Sequence, residues 1–221
     1  MSTLFSSSIG KKLLMSLAGL FLCTFLVVHL AINLLLLRND GGEAFKIGVE
    51  FMTTNPVVKI MEYVLFAGFL IHIIWGTILQ MENWLARPKR YAVTNNSQIS
   101  FFSKYMIHTG AIIFVFLVIH LMNFYAVKLG LVAVPAGVEG KHDFYHMAIN
   151  LFSQRLYSTI YVGFMIFLGF HLIHAFQSAF QTLGINHKKY SPAINVIGII
   201  YSIVISAGFA IIPLYFMFFY K

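Results

Sequence analysis

Residues 13–37 read LLMSLAGLFLCTFLVVHLAINLLLL and contain no charged side chain. At 1.5 Å per residue, a helix of this length can cross the roughly 30 Å hydrocarbon core of a membrane. Lys11 and Lys12 precede the run, as they would in a signal peptide, but the run is too long for one and no small-residue cleavage site follows it. We therefore predict a retained transmembrane helix.

The rest of the chain repeats this apolar pattern. Hydrophobic residues make up 59% of the 221 residues and charged residues only 10%, unlike a soluble globular domain. Because lipid leaves unpaired backbone groups unsatisfied, we predict an all-α integral membrane protein surrounded by a lipid bilayer, with no nucleic-acid partner. The single membrane domain, residues 1–221, is predicted to hold transmembrane helices at about 13–37, 56–83, 102–127, 156–183 and 193–219.

The links between the spans give orientation and helix ends. Eight of the fifteen Lys and Arg side chains lie inside if the N-terminus is cytoplasmic, and they cluster near the span ends, which favours that orientation. Residues 38–55 are predicted to be a link, and residues 128–155 could hold a short interfacial helix around 142–151. Pro56 is predicted to open the second span and Gly184 to end the fourth.

Four histidines, one on each of the first four spans, are the main candidate functional residues. An imidazole is costly in hydrocarbon, so an intramembrane histidine is a functional candidate by default. Counting 1.5 Å per residue from the span ends places two of them nearer the outer face and two nearer the inner face. His29 and His120 form the outer pair, and His72 and His171 form the inner pair.

Two such pairs match the needs of bis-histidine haem, because one iron can be held by ring nitrogens from two helices. We therefore predict that the first four helices form a bundle around two b-type haems, ligated by His29 with His120 and by His72 with His171. Cys23 is the single cysteine, which excludes an internal disulfide, a cysteine-held iron–sulfur cluster and a C-x-x-C-H haem attachment. Two haems at different depths could carry electrons across the membrane.

Other histidine roles stay open on spacing alone. His174 lies three residues from His171 and competes with it as a ligand. Any single histidine could instead hydrogen-bond to a neighbouring helix or relay protons. His108 could meet a propionate or a quinone, but we favour an interfacial position. His142 and His146 have metal-ligand spacing without an evident third ligand.

Glycines near the histidines could admit a flat macrocycle. Gly68 and Gly76 flank His72 at four residues on either side, on one helix face. Gly19 and Gly110 each precede the outer ligand of their helix by ten residues, which is about 15 Å toward the inner face. The alternative is that these glycines only allow close helix packing.

Four strings carry a resemblance to a known family: LAGLFLCTFLVVHLAINL, FLIHIIWGTILQMENWLARPKRY, KYMIHTGAIIFVFLVIH and GFHLIHAFQSAFQTLGINH. They resemble the cytochrome b membrane anchor of succinate:quinone oxidoreductases. The similar members are the single-chain, five-helix, di-haem anchors of succinate dehydrogenases and fumarate reductases in menaquinone-using bacteria. The resemblance covers the first four spans and is most specific in the string that ends in SAFQTLGINH.

The resemblance implies particular ligands. In that family the first helix pairs with the third and the second with the fourth. The fourth-helix ligand lies thirteen residues before the glycine of the closing turn, here Gly184, so the resemblance selects His171 and leaves His174 as an auxiliary residue at the cofactor.

The resemblance also implies contacts around the haems. Ser16 and Tyr161 fall where some members place polar contacts to the inner haem propionates, with Lys104 and Arg155 as further candidates. One fumarate-reducing branch has a glutamate two residues before the fourth-helix ligand. Here that position is Gly169, which puts a proton path through such a glutamate in doubt.

As a member of such a complex, the chain would be the electron-transfer and quinone-reactive subunit of an enzyme in the bacterial cytoplasmic membrane. The resemblance implies a flavoprotein subunit with FAD that bears the dicarboxylate site, and an iron–sulfur subunit docked on the inner face. Menaquinone or another quinone would react near the outer haem. Glu62 and Glu50 are candidate proton handlers there, although an interfacial carboxylate in water is an equally good interpretation.

Two other functions stay open. One is the cytochrome b anchor of another quinone-linked dehydrogenase, of the formate dehydrogenase or hydrogenase type. Di-haem cytochromes of the bc type usually carry two ligands on one helix, whereas here each helix carries one. The other is a proton-coupled transporter, which would need broken helices and polar groups in mid-membrane. The spans hold almost no acids.

Overall fold

The computed structural model describes residues 7–86, 105–185 and 187–220. These residues form helices and loops without a β-strand. The helices are α1 (Ser8–Leu34), α2 (Glu43–Thr54), α3 (Pro56–Leu85), α4 (Met106–Lys128), α5 (Phe144–Phe152), α6 (Arg155–Thr182) and α7 (Ser191–Phe218). Five of them, all except α2 and α5, are long and apolar enough to cross a membrane, which confirms the prediction of an all-α multi-pass membrane protein.

Local capping explains where the spans begin and end. The Ser7 side chain accepts a hydrogen bond from the Gly10 amide (3.0 Å), so α1 begins five residues before the predicted span and includes its two lysines. The Asn55 side chain caps α3 in the same way, with Pro56 as the first helical residue, as predicted. Gly184 follows α6 with a φ of +79°, a left-handed conformation that suits glycine and confirms the predicted stop.

Helix α4 changes its winding immediately after His120. Residues Met106–His120 are α-helical, Leu121–Tyr125 form a π-helical turn, and Ala126–Lys128 complete the helix. Single π-helical turns are rare in helices as a whole, but many of those that occur lie at functional sites. The first three residues of the predicted span, 102–104, lie outside the described part of the chain.

The segment 38–55, predicted as a link, contains helix α2, and α5 forms close to the predicted interfacial helix. Both short helices lie at the end of the bundle where α1 and α4 finish and α3 and α6 begin. There they share one apolar cluster with the span ends. Its buried members are Leu36, Phe45, Tyr145, Ala148, Phe152, Tyr161, Ile212 and Phe216.

Four spans form a ring. Helix α1 packs against α3 and α6, and α4 packs against α6 and more lightly against α3. Within the described residues, the helices at opposite corners of this ring, α1 with α4 and α3 with α6, pack against each other little or not at all. Side chains that point to the middle of this ring are therefore surrounded by four helices.

Helix α7 lies outside this ring, against α6 and α1. A Cβ atom on Gly208 would lie only 2.7 Å from Leu30 Cδ2, so a larger residue there would displace the Leu30 side chain between α7 and α1. The Tyr201 hydroxyl donates to the Cys23 carbonyl (2.7 Å) and joins the same two helices. The ring, and not α7, supplies the four predicted histidines.

Candidate functional site

His29 and His120 face each other across one diagonal of the ring. Their ring centroids are 5.8 Å apart and their planes are nearly perpendicular, at 84°. Phe25 stacks on His29 at 5.1 Å, and Phe116 stacks on His120 at 5.6 Å. The two imidazoles are therefore held in an aromatic, apolar setting inside the membrane span.

His72 and His171 face each other across the other diagonal. Their ring centroids are 6.2 Å apart with an interplanar angle of 75°. Gly19 of α1 lies beside His72, since a Cβ there would be 3.4 Å from Cε1 and 3.5 Å from Nδ1 of that ring. Gly110 of α4 lies beside His171 in the same way, at 3.6 Å and 3.9 Å from the same two atoms.

These separations suit a metal ion between each pair of rings. Imidazole nitrogens bind metals at about 2 Å, and a ring nitrogen lies about 1 Å from its centroid, so one bound ion would separate the centroids by roughly 6 Å. The observed values are 5.8 Å and 6.2 Å. A haem iron needs only two such protein ligands, because the macrocycle supplies the other four.

The two histidine pairs lie at different heights in the bundle, and three helices give the same distance between them. Each of these helices carries a histidine of one pair and, ten residues away, a residue that lies beside the other pair. Ten residues correspond to about 15 Å along the helix axis. The residues that mark the levels are Gly19 and His29 on α1, Gly110 and His120 on α4, and Tyr161 and His171 on α6.

One histidine of each pair has a polar neighbour at Nδ1. The Thr109 hydroxyl donates to the Met106 carbonyl (2.9 Å), and its oxygen lies 3.2 Å from His171 Nδ1. The Asn33 amide donates to the His29 carbonyl (2.7 Å) and lies 3.4 Å from His29 Nδ1. In both histidines the second ring nitrogen is left for another bond.

The other histidine of each pair lacks such a neighbour. Nδ1 of His72 and Nδ1 of His120 are buried with no hydrogen-bond partner in the described part of the chain. Burying a polar group without a partner costs free energy. For these two atoms, an inter-helix hydrogen bond therefore does not explain why a histidine is present.

Two residues predicted to contact the inner haem lie nearer the His29/His120 pair. Tyr161 was expected near the inner pair, but its ring is 6.4 Å from His120, and its hydroxyl accepts a hydrogen bond from Asn123 (3.0 Å). Arg155 begins α6 sixteen residues before His171, about 24 Å away along the axis. Both residues lie on the half of α6 nearer the His29/His120 pair, because α6 enters the bundle at that end, and their contacts to a haem propionate stay predictions.

Of three further residues predicted to contact a haem, Ser16 lies on the helix face toward His72, whereas Gly68 and Gly76 border side chains of α1. Ser16 is buried on α1, one turn before Gly19 and on the same face, toward His72. A Cβ on Gly68 would meet the Phe21 ring at 3.1 Å, and one on Gly76 would meet Met15 Sδ at 3.7 Å. These two glycines therefore border α1 side chains, as expected for helix packing.

Among the residues that the structure describes, His174, His108 and His146 do not face another histidine as the two pairs do. The ring that faces His72 is His171, and His174 lies one turn further along α6. His108 is exposed and packs against Tyr105. His146 Nδ1 lies 2.6 Å from Asp143 Oδ2.

The described residues contain no group of three or more His, Cys, Asp or Glu side chains that could hold a metal ion, so the predicted spacing of His142 and His146 does not form such a site there. Lys104 lies outside the described residues. At Gly169, where one branch of the resembled family has glutamate, a Cβ would lie 3.0 Å from Ser206 Oγ, so α7 approaches closely there.

Glu62 connects α3 to α4 at the end nearer the His29/His120 pair. Its carboxylate accepts a hydrogen bond from the Tyr125 hydroxyl (2.5 Å) and pairs with Lys128 (3.0 Å). Tyr125 is the last residue of the π-helical turn that follows His120. Glu50 instead lines a groove between α2 and the start of α5.

The sequence patterns did not single out Thr109, Asn33 or Asn123. Each is a polar residue in an otherwise apolar span, which was the available signal. Which polar side chain reaches a histidine depends on helix rotation, and for Asn123 it depends on the π-helical turn.

Comparison of the chain with protein-family models, with curated proteins and with solved structures finds no match.

Proposed function

We propose that this protein is the di-haem cytochrome b membrane anchor of a succinate:quinone oxidoreductase, which relays electrons between an iron–sulfur subunit and a membrane quinone. The observation that carries the proposal is the pair of diagonals: His29 faces His120, and His72 faces His171, about 15 Å apart along the helices. Two redox centres stacked in this way would form a path across the membrane.

The surroundings of the rings favour haem over a bare metal ion. Each pair offers two nitrogen ligands, which is too few for a structural zinc site but is the number that a bis-histidine haem uses. Gly19 and Gly110 bring the helix backbone close to the rings of one pair, and Phe25 and Phe116 supply flat apolar surfaces beside the other. When bound, haem supplies reversible one-electron chemistry at iron.

The residues of the chain would set the conditions for that chemistry. The four imidazoles would hold the cofactors at two fixed levels because each lies on a long helix. Apolar side chains exclude water around them, and burial and hydrogen bonds to the ligands tune the reduction potential. Thr109 and Asn33 supply polar contacts at the ligand rings.

Quinone chemistry requires protons as well as electrons, and Glu62 is the better placed of the two candidate carboxylates. Its partner Tyr125 lies five residues after His120, on the same helix. Glu62 would exchange protons at the end of the bundle where α2 and α5 lie. We therefore propose that menaquinone or another quinone reacts near the His29/His120 pair.

The resemblance supplies the partners in this proposal. A flavoprotein subunit with FAD would bear the dicarboxylate site, and an iron–sulfur subunit would dock at the face where α3 ends and α4 begins. With the N-terminus in the cytoplasm, that face is cytoplasmic. Lys11 and Glu82 pair there and join α1 to α3.

Purification of the native complex tests this proposal. A reduced-minus-oxidised spectrum with a b-type α-band, together with co-purified flavoprotein and iron–sulfur subunits, is the expected result. A chain without an α-band would refute the cytochrome assignment and reopen the transporter alternative. A haem-bearing chain that co-purifies with a molybdenum or nickel enzyme would instead place it with a formate dehydrogenase or a hydrogenase.

A further inference from the structure

A short pattern occurs twice in the ring. Residues 15–19 read MSLAG and residues 106–110 read MIHTG, and a histidine of the His29/His120 pair follows each glycine by ten residues. Ala18 thus stands in α1 where Thr109 stands in α4. The two segments lie on opposite corners of the ring.

The structure places these two segments equivalently against the His72/His171 pair. A Cβ on Gly19 would lie 3.4 Å from Cε1 and 3.5 Å from Nδ1 of His72, and a Cβ on Gly110 would lie 3.6 Å and 3.9 Å from the same two atoms of His171. Because Thr109 lies next to the Nδ1 edge of His171, we infer the equivalent position for Ala18 at His72. In α4 the residue before the glycine has a hydroxyl group, and in α1 it has only a methyl group.

The contacts of Thr109 favour one tautomer of His171. With the hydroxyl hydrogen donated to the Met106 carbonyl (2.9 Å), the oxygen accepts from His171 Nδ1, 3.2 Å away. His171 is then protonated at Nδ1, and the lone pair of its other nitrogen is free. The second ring nitrogen of a metal-ligating histidine almost always donates to such an acceptor, which fixes the ring and raises its basicity.

His72 has no side-chain acceptor of this kind. Its Nδ1 is buried without a hydrogen-bond partner among the described residues. The polar group of α1 that approaches the same ring is the backbone of Met15 and not a side chain. A threonine at position 18 would have Met15 three residues before it, as Thr109 has Met106.

We propose that Thr109 is a positioning residue, which holds His171 in the tautomer that leaves its second nitrogen free for iron and strengthens it as a ligand. Ala18 provides no such hydroxyl group to His72. The two ligands of one haem would thus differ in donor strength. This inference rests on the proposed function, because it concerns the haem held by that pair.

The presence or absence of this acceptor is expected to change the reduction potential of the haem held by His72 and His171 in a defined direction. A more basic imidazole stabilises the ferric state and lowers the potential, so the loss of the Thr109 acceptor raises it. The addition of an acceptor at position 18 lowers it by the same mechanism. The other haem, about 15 Å away, keeps its potential.

The test is a potentiometric titration of the purified complex, with the ¹⁵N shift of the ligand Nδ1–H in the reduced state as a second readout. Thr109→Val is expected to raise the potential of one haem and to shift the Nδ1–H signal, whereas Thr109→Ser keeps wild-type values. Ala18→Thr is expected to lower the same potential, and the double variant A18T/T109V lies between the single variants. Thr159→Val is the matched control, because Thr159 makes a similar bond within α6 (2.8 Å) on the exposed surface.

The outcomes separate the two proposals. A wild-type complex without haem would overturn the proposed function and this inference with it. Two haems with an unchanged potential and ¹⁵N shift in Thr109→Val would overturn the inference alone. Loss of one haem in Thr109→Val but not in Thr109→Ser or Thr159→Val supports positioning, and an unchanged potential in Ala18→Thr would overturn the equivalence of the two positions.

Discussion

His29 on α1 and His120 on α4 lie at opposite corners of a four-helix ring, yet their ring centroids are only 5.8 Å apart. The second diagonal repeats the arrangement with His72 and His171 at 6.2 Å. The helices at these corners hardly pack against each other, so the histidines reach into the space between them. A cofactor held at both ends by such residues would join helices that otherwise have little contact.

Replacement of any one of the four facing histidines is expected to remove one haem of two. Each pair would hold its iron through both rings, so the loss of one ring leaves a weak single ligand. Haem quantified per chain should fall from two to one in His29→Ala, His72→Ala, His120→Ala and His171→Ala.

His174→Ala is the control for that series and should keep both haems, because His174 is not the ring that faces His72. If His174→Ala lost a haem and His171→Ala kept both, the assignment of ligands on α6 would be refuted.

Gly110 is expected to tolerate alanine but not leucine. An added Cβ would lie 3.6 Å from His171 Cε1, which is an ordinary contact, whereas a longer side chain would displace the ring. Gly110→Leu should therefore lower the occupancy of one haem, and Gly110→Ala should not. Gly163→Leu is the matched control, since a Cβ there has no neighbour within 4 Å. Full occupancy in Gly110→Leu would contradict the placement of Gly110 beside the ligand.

Tyr125→Phe is expected to weaken the joint between α3 and α4. It removes a hydrogen bond to the Glu62 carboxylate (2.5 Å), and hydrogen bonds to charged groups contribute about 1.5–3 kcal/mol. The free energy of unfolding in detergent should fall toward the lower end of that range, because Glu62 is partly exposed. Tyr63→Phe, at an exposed position on α3, should leave it unchanged. Equal effects of the two variants would refute this role.

The short helix α5 is expected to lose stability in acid. Asp143 caps it by accepting from the His146 amide (3.2 Å). Although partial burial raises it, hydrogen bonds from the side chain and backbone of His146 hold the pKa of Asp143 below its ordinary value. A lowered carboxyl pKa gives stability that is present above the unfolded value of about 3.9 and is lost as the pH falls through the folded value.

Asp143→Ala should therefore reduce the free energy of unfolding by about 1 kcal/mol at neutral pH, the usual value of a helix cap. The difference from wild type should shrink below about pH 4. Asp143→Asn keeps the cap acceptor without the charge, so most of its stability should persist and not depend on pH in that range. Chemical unfolding in detergent at several pH values measures all three proteins, and a pH-independent difference between alanine and wild type would contradict the account.

The sequence was sufficient to predict the spans because a continuous apolar run of this length has few other structures available in lipid. Depth counting from the span ends also predicted which histidines face each other, since a straight helix converts sequence distance into height. The same count, applied to Tyr161, would have placed it beside His120, but the family resemblance had suggested the other level.

Features that depend on rotation or on tertiary contacts could not be predicted in this way. The π-helical turn after His120 changes the phase of α4 and brings Tyr125 and Lys128 to Glu62. Helix α2 was missed because the helix is short and its apolar face is stabilised only when α5 and the span ends cover it. Thr109 is recognisable as a partner of His171 only when α4 and α6 are placed together.

If each diagonal pair of histidines holds one haem, the wild-type chain purified from its native membrane should show a b-type α-band in its reduced-minus-oxidised spectrum. Its haem-to-protein ratio should be two haems per chain. A chain with no α-band would contradict this assignment. So would a chain with a single haem that is retained both in the His29 variant and in the His72 variant.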